Sequence, residues 1–175
     1  MRSSTRRLRN LAVFAMLGAL MFSTKIAMES IPGVHFLGLF IAAFTLTYHV
    51  RALIPIYIFV MLQGAMAGFA IWWLLHLYIW LPLWGMFMVA GNLKLPLKAK
   101  IPLYMVLCGL HGLAYGTLCV PVDAFLMFGV RSFEGVIAYI IRGLPFDVTH
   151  AISNFAMGTL IVPLSELLKK LDRTV

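Results

Sequence analysis

The stretch LAVFAMLGALMFSTKIAM, residues 11–28, is the part of the chain that decides its fold class. Only Lys25 interrupts this uncharged run, and a hydrocarbon core about 30 Å thick needs about 20 such residues to be crossed as an α-helix. A secretory signal peptide opens in the same way, but no small-x-small cleavage site follows Phe22, and the segment continues through Lys25 to Glu29. We therefore predict a retained first transmembrane helix, preceded by Arg2, Arg6, Arg7 and Arg9.

The rest of the sequence repeats this apolar character. Of the 175 residues 62% are hydrophobic and only 11% are charged, whereas about a quarter of the residues of a soluble domain are charged. We predict one domain spanning residues 1–175, an all-α polytopic membrane protein with six transmembrane helices. The five further crossings are expected at residues 34–48, 52–71, 77–91, 101–121 and 144–168, with the fifth alternatively extending to Gly129.

The basic residues predict the orientation of these helices. Lysine and arginine accumulate in loops that stay in the cytoplasm. With the N-terminus inside, only Lys25, Arg131 and Arg142 of the 14 basic residues fall outside. We therefore predict that both termini are cytoplasmic. The formal net charge of +8 is explained by this topology, and no nucleic-acid partner is expected because the charges lie between apolar segments.

The polar residues of the last apolar segment predict a site. In GLPFDVTHAISN, residues 143–154, spacings of three and four residues put Asp147, His150 and Asn154 on one helical face, which Gly158 continues. A carboxylate at mid-bilayer costs about 2.5–3.5 kcal/mol, so this face is expected to line a cavity or meet a polar partner. Either at least one of the three binds a ligand, or Asp147 caps the helix while the other two join helices.

The fifth segment contributes His111 and Tyr115, which share a helical face in GLHGLAYG, residues 109–116. The glycines allow another backbone to come close. Ligand contact and hydrogen bonding between helices are both open interpretations for His111.

An aromatic run lies between the third and fourth segments. Trp72, Trp73 and Tyr78, with Trp84 soon after, are typical of a membrane interface, because each ring joins an apolar body to a polar edge. The alternative is that some of these rings stack on a flat heterocycle entering from outside, with Glu29 and His35 of the first external loop as a lid.

Enzymatic chemistry is not expected. His150 gives H-x-x-x-N and F-x-x-x-H, as in intramembrane prenyl-protein peptidases, but the paired glutamates and the second histidine of such a peptidase are absent. The five histidines lack metal-ligand spacing, and Cys108 and Cys119 are predicted to be packing residues. No phosphate-binding loop occurs, so the chain cannot hydrolyse ATP alone. We predict no cofactor and no metal.

The sequence resembles a known family in its combination of features. The small-residue surface of Ala15-Met-Leu-Gly18-Ala19, the length near 175 residues, the six predicted helices and the final P-F-D-x-x-H-x-x-x-N stretch are similar to the S components of energy-coupling factor vitamin transporters. The resemblance implies that Ala15 and Ala19, with Ala12, dock on a shared transmembrane coupling subunit driven by two cytoplasmic ATPases. It also implies a bacterial inner-membrane location.

The same resemblance implies a pocket open to the exterior that captures a small water-soluble vitamin or precursor. The aromatic rings, together with one acid and two histidines, favour a planar, hydrogen-bonding heterocycle. The expected lining comprises Glu29, His35, Trp72, Trp73, Tyr78, Trp84, His111, Tyr115, Asp147, His150 and Asn154. One rival hypothesis is an independent ion-coupled transporter or channel in which Asp147, His150 and His111 relay protons. Another is an assembly protein without a ligand.

Overall fold

The chain folds into helices joined by short turns in a computed structural model that describes the backbone of residues 2–174 and the side chains of residues 8–172. No strand occurs among residues 2–174. The α-helices are α1 (Arg2–Ala27), α2 (Leu37–Tyr48), α3 (Leu53–Ala67), α4 (Ile71–His76), α5 (Leu81–Gly91), α6 (Leu97–Leu113), α7 (Tyr115–Cys119), α8 (Phe133–Met157) and α9 (Ile161–Thr174). Short 3₁₀ turns precede α3 and α9, and a π-helical segment, Val120–Met127, follows α7.

Four helical runs of the described residues are long and apolar enough to cross a membrane: Leu8–Ala27, Leu37–Ala67, Ile71–Gly91 and Phe133–Asp172. A fifth is reached if α6 and the segment Tyr115–Met127, bent by 48° at Ala114, form one span. The all-α multi-pass architecture is therefore confirmed with four to five candidate spans. The count of six stays a prediction, because our second and third crossings, at 34–48 and 52–71, both overlap the single run Leu37–Ala67.

That long run is broken at His49, whose φ of 53° is incompatible with a continuing helix. The rings of Phe14 and Tyr48 are 5.3 Å apart, so the end of α2 lies beside the first half of α1. Further along, a Cβ added to Gly18 of α1 would meet Ile58 of α3 at 2.6 Å. Consequently α3 packs along α1 in the same direction, and α2 runs the opposite way.

Several chain segments meet at one end of the molecule, which is called the basic end here. A hollow of about 170 Å³ there is lined by Lys100 and Lys169, and one of about 260 Å³ is lined by Arg9, Arg51 and Asp172. The start of α1, the turn at 49–52, the start of α6 and the last turns of α9 therefore lie together. The side chains of Arg2, Arg6, Arg7 and Arg173, which also enter the orientation prediction, lie outside the described residues.

Helix α2 forms the centre of the bundle, with every residue from Leu37 to Thr45 buried. It packs against α5 and α9. Many large apolar side chains on the outer helices are exposed, among them Met16, Ile141 and Ile152, which suits contact with lipid better than contact with water. The buried interior and apolar exterior are what a membrane-embedded bundle requires.

The last long helix begins at Phe133 and not at residue 144 as predicted. Ser132 determines this start, because its Oγ accepts a hydrogen bond from the backbone N–H of Gly135 at 3.1 Å. Pro145, interpreted from the sequence as a helix start, lies inside α8. A 3₁₀ turn at Gly158–Leu160 then leads into α9.

Candidate functional site

Glycines bring α8 against α6 and α7. A Cβ added to Gly112 would lie 2.7 Å from the backbone carbonyl carbon of His150, and one added to Gly116 would lie 2.5 Å from Oδ2 of Asp147. Gly158 makes a similar backbone approach to Met105. The prediction that glycines around His111 allow close helix contact is confirmed, and the approaching helix is α8.

The polar face predicted for α8 is buried against these glycines. Asp147, His150, Asn154 and Gly158 are all buried, as is Ser153. Oδ1 of Asp147 accepts a hydrogen bond from the backbone N–H of Gly116 at 2.9 Å. This N–H lies in the first turn of α7, where no intrahelical acceptor exists. Asp147 therefore does cap a helix, but that helix is α7 and not its own.

His150 is the centre of a ring cluster. The ring of Tyr115 stacks on it at 4.9 Å with an interplanar angle of 5°. Phe146 meets its edge at 4.3 Å, and His35 approaches at 5.0 Å from the loop before α2. Its Nδ1 lies 3.2 Å from the carbonyl oxygen of Phe146. Loop and helix residues that are far apart in sequence thus meet at one imidazole.

His35 reaches this cluster because the loop before it is held against α8. Gly33 has a φ of 74°, and a Cβ there would meet the side chain of Thr149 at 2.8 Å. Burial, reinforced by the neighbouring His150, lowers the pKa of His35 from its ordinary 6.5 to about 4. The imidazole of His35 is therefore neutral at physiological pH.

An open hollow of about 580 Å³ adjoins the cluster and is called the α7–α8 hollow here. Its volume is in the range of small-molecule sites. The predicted site residues Tyr115 and Asp147 line it. Three further polar residues also line it, Asp123, Tyr139 and Arg142, and the hydroxyl of Tyr139 donates to Oδ2 of Asp123 at 3.2 Å. The hollow is thus able to offer both signs of charge to a solute.

Sequence reasoning missed these three as site residues. Asp123 and Arg142 were interpreted only as exterior charges, and residues 133–143 were not assigned to a helix. Had α8 been started at Ser132, spacings of three and four residues would have put Tyr139, Arg142 and Phe146 on a helical face that continues to His150. The capping serine was the available signal.

Several buried polar atoms near the ring cluster lack a hydrogen-bond partner. They are Nδ1 of His35, Nε1 of Trp80, Oγ of Ser153 and Oδ1 of Asn154. Trp80 is 3% exposed, and its ring centroid is 6.2 Å from that of His111 and 6.5 Å from that of Tyr115. An indole N–H is a donor only, so Trp80, absent from our predicted set, presents an unmet donor beside two predicted residues.

His111 occupies a different role from His150. Its Nε2 lies 2.9 Å from the carbonyl oxygen of Ile79, in the turn before α5. This contact joins two chain segments, as one of the two interpretations predicts, and ligand contact by His111 stays a prediction. Among the described hydrogen bonds none joins His111 to His150, or His150 to Asp147, so the three groups of the proposed proton relay are not directly connected.

The residues of the aromatic run have two roles: three of them form hydrogen bonds that join elements, and one lines a hollow. Nε1 of Trp73 donates to the carbonyl of Val60 at 2.9 Å, and the hydroxyl of Tyr78 donates to that of Leu118 at 2.8 Å. Nε1 of Trp84 donates to the carbonyl of His49, in the turn at the basic end, at 3.3 Å. These three residues fasten elements together and line neither the α7–α8 hollow nor the second hollow described next.

Glu29 and Trp72, predicted for the same pocket as Asp147, line a second hollow of about 410 Å³ between α1 and α3, called the α1–α3 hollow here. A row of ring contacts links the two hollows, from Trp72 to His76 at 5.3 Å, to Trp80 at 6.2 Å and to Tyr115 at 6.5 Å. The single predicted pocket is therefore divided into two hollows.

The remaining sequence predictions concern metals, cysteines and docking. Within residues 8–172 no group of three metal-binding side chains comes together. Cys108 and Cys119 are free and buried, in keeping with packing, although Cys119 also lines the α7–α8 hollow. Ala12, Ala15 and Ala19 are all exposed on α1, whereas Gly18 packs inward on α3.

Comparisons of the chain with protein families, with curated proteins and with solved structures find no match.

Proposed function

We propose that this chain is the substrate-binding membrane subunit of an ATP-driven energy-coupling factor importer, which captures a small vitamin or precursor from outside a bacterial cell. The observation that carries the proposal is the meeting of the α7–α8 hollow with the buried cluster around His150, at the end of the bundle away from the basic end. A solute entering from outside would meet Tyr115 and Asp147 there. Release into the cell is then driven by partner ATPases.

Six crossings with both termini in the cytoplasm form part of this proposal. The reversal at His49 supports counting α2 and α3 as separate crossings. Arg9 of α1 and Asp172 of α9 line the same hollow, which supports an even number of crossings between the start of α1 and the end of the last helix. Because basic residues are retained in the cytoplasm, the basic end is assigned to the inside and both larger polar hollows to the outside.

This orientation is tested by reporter fusions. A reporter active only in the cytoplasm should work when fused after Asn92 and after Asp172, and should fail after Ser132. Activity after Ser132, or opposite results at Asn92 and Asp172, would contradict the six-crossing topology.

The unpaired atoms favour a planar, hydrogen-bonding substrate. Trp80 requires an acceptor, and Oδ1 of Asn154 requires a donor. The ring of Tyr115 lines the α7–α8 hollow, and its centroid lies 6.5 Å from that of Trp80. A heterocycle with ring nitrogens and an amino or hydroxyl substituent satisfies both requirements, as thiamine-like, pyrimidine or pyridoxine-like compounds do.

The exposed alanines of α1 support the coupling partner. Ala12, Ala15 and Ala19 form a small-residue surface that allows another helix to approach closely in a membrane. Gly18 is already used by α3, so the alanines are the part of the motif left for another protein. We assign this surface to a transmembrane coupling subunit that carries two cytoplasmic ATPases.

The test is to purify the protein from cells grown in rich medium, identify the co-purified small molecule by mass spectrometry, and measure its uptake with and without the coupling module. We expect a tightly bound vitamin-like compound and ATP-dependent uptake only with the module. Accumulation driven by a pH gradient without the module would refute the proposal in favour of the ion-coupled transporter. Absence of any ligand from a full vitamin panel would favour the assembly protein.

A further inference from the structure

The α1–α3 hollow is separate from the site assigned to the captured substrate. Its lining comes from the last turns of α1, the last turns of α3 and Trp72 of α4, and it shares no residue with the lining of the α7–α8 hollow. At about 410 Å³ it has room for a solute of modest size or for a lipid headgroup. The hollow therefore needs its own explanation.

Gln63 is the first indication of a ligand in this hollow. Its side chain lines the hollow and is only 7% exposed, yet its Oε1 has no hydrogen-bond partner. Leaving a buried polar atom unpaired is unfavourable, and an apolar residue would be expected at a position that serves packing alone. A bound group that donates a hydrogen bond would remove this penalty.

The charges at the same hollow indicate what that group is. Nζ of Lys25 and Oε1 of Glu29 form an ion pair at 2.7 Å, and both residues line the hollow. The Glu29 side chain is 61% exposed, and exposed pairs of this kind contribute little stability. The pair is therefore easily opened by a ligand that offers an anion to Lys25 and a cation to Glu29.

The remaining lining is apolar or aromatic. Phe22, Ile26 and Met66 form a hydrophobic wall, and the ring of Trp72 is held edge-on by His76 at 5.3 Å. Indole faces bind cations favourably. The hollow thus combines an acceptor, an anion, a cation and a hydrophobic surface.

We propose that the α1–α3 hollow is a second binding site for a zwitterion, whose ammonium group lies between Oε1 of Gln63 and the carboxylate of Glu29, and whose acidic group pairs with Lys25. A free amino acid and the headgroup of phosphatidylethanolamine both have this chemistry. The assignment gives Glu29 and Trp72 to a ligand other than the captured substrate. It stands independently of the importer proposed above, because the two hollows share no lining residue.

The test measures binding of three probes to the full purified chain in dodecyl maltoside. Calorimetry measures the binding of L-leucine and of phosphoethanolamine. Thermal unfolding scans measure whether phosphatidylethanolamine, the third probe, stabilises the protein more than phosphatidylglycerol does. We expect at least one zwitterionic probe to bind. Binding of leucine identifies a free solute, whereas selective stabilisation by phosphatidylethanolamine identifies a lipid headgroup.

Two variants make the test specific. Gln63→Leu should weaken binding of that probe at least tenfold, and Gln63→Glu, which keeps an acceptor oxygen, should retain it. Lys25→Met is a second variant, which leaves the buried side chains unchanged. It should also weaken binding of that probe. Failure of all three probes to bind, or unchanged binding to Gln63→Leu and Lys25→Met, would overturn the proposal. The co-purified substrate should bind Gln63→Leu normally, which keeps this result distinct from failure of the importer proposal.

Discussion

Asn154 is one of the buried polar residues that lack a hydrogen-bond partner. It is 3% exposed, and its Oδ1 lies so close to α2 that a Cβ added to Gly38 would meet it at 3.1 Å. No partner satisfies this oxygen. Burial of an amide without its hydrogen bond is costly, and in the proposed function a bound substrate would supply the missing donor.

Replacing Asn154 by alanine should therefore weaken binding of the co-purified compound at least tenfold, which corresponds to about 1.4 kcal/mol. Asp147→Ala should do the same if its carboxylate contacts the substrate, and it should also lower thermal stability, because the N–H of Gly116 loses its acceptor. Calorimetric titration of purified protein measures both affinities. The matched control is Asn92→Ala, which removes an exposed amide at the basic end. Normal affinity in both Asn154→Ala and Asp147→Ala would mean that Asn154 and Asp147 have purely structural roles.

His35 gives the structure a pH dependence of known sign. Its pKa in the folded protein, about 4, is below the 6.5 of an exposed histidine. Between these values the unfolded chain binds a proton that the folded chain excludes, so this contribution to stability is complete above pH 6.5 and is lost as the pH falls towards 4. The groups that oppose its protonation are His150, His111 and Lys25.

We expect the thermal unfolding midpoint of the wild-type protein to fall between pH 7 and pH 4.5, and to fall less in His35→Gln. The measurement is a thermal scan in detergent at several pH values. His49→Asn, at the basic end, is the control, since asparagine tolerates the positive φ of that position. Identical pH profiles for wild type and His35→Gln would contradict the assignment.

At the scale of elements, the contact between α6 and α8 is what holds the site together. Gly112 and Gly116 allow the backbone of α8 to approach closely enough for Asp147 to reach the start of α7 and for Tyr115 to stack on His150. Small residues are the usual means of close helix packing in lipid, where no hydrophobic force drives helices together. The geometry of the site therefore depends on residues that bind nothing themselves.

Gly112→Ala should accordingly destabilise the protein by about 1–3 kcal/mol, because the added methyl group meets backbone that cannot rotate away. Gly85→Ala is the matched control: Gly85 also lies in a helix, but nothing lies within 4 Å of its added Cβ. That control should be neutral or slightly stabilising, since alanine is the better helix former. Thermal scans of the two variants make the comparison, and equal midpoints would exclude the close contact.

The elements also show which parts of the site could be predicted. The shared face of Asp147, His150 and Asn154 follows from helical periodicity, a local property, and it was predicted correctly. The start of α8 was missed because glycine and proline were interpreted as marking the gaps between helices, and the capping role of Ser132 was not considered. The division of the predicted pocket could not be foreseen, since it depends on which backbone carbonyls Trp73, Tyr78 and Trp84 reach in the folded chain.

The whole molecule has three surfaces that lie apart from one another. The α7–α8 and α1–α3 hollows lie at one end, the basic end lies opposite, and the exposed alanines of α1 lie on the flank between them. The buried face of α1, with Phe14, Gly18 and Met21, packs against the bundle. Because the alanine surface is separate from the α7–α8 hollow, we expect the proposed substrate binding and the proposed docking to be altered independently of each other.

Ala15→Trp and Ala19→Trp test this separation. Each should abolish uptake that depends on the coupling module, because an indole on the small-residue surface prevents a second helix from approaching. Affinity for the co-purified compound should stay within about twofold of wild type, since neither position lies at the α7–α8 hollow. Ala156→Trp, an exposed alanine on α8, is the control for adding an indole to the apolar exterior, and it should transport normally. Loss of binding together with uptake would mean that α1 supports the site and not a partner, whereas full uptake by both variants would remove the docking surface from α1.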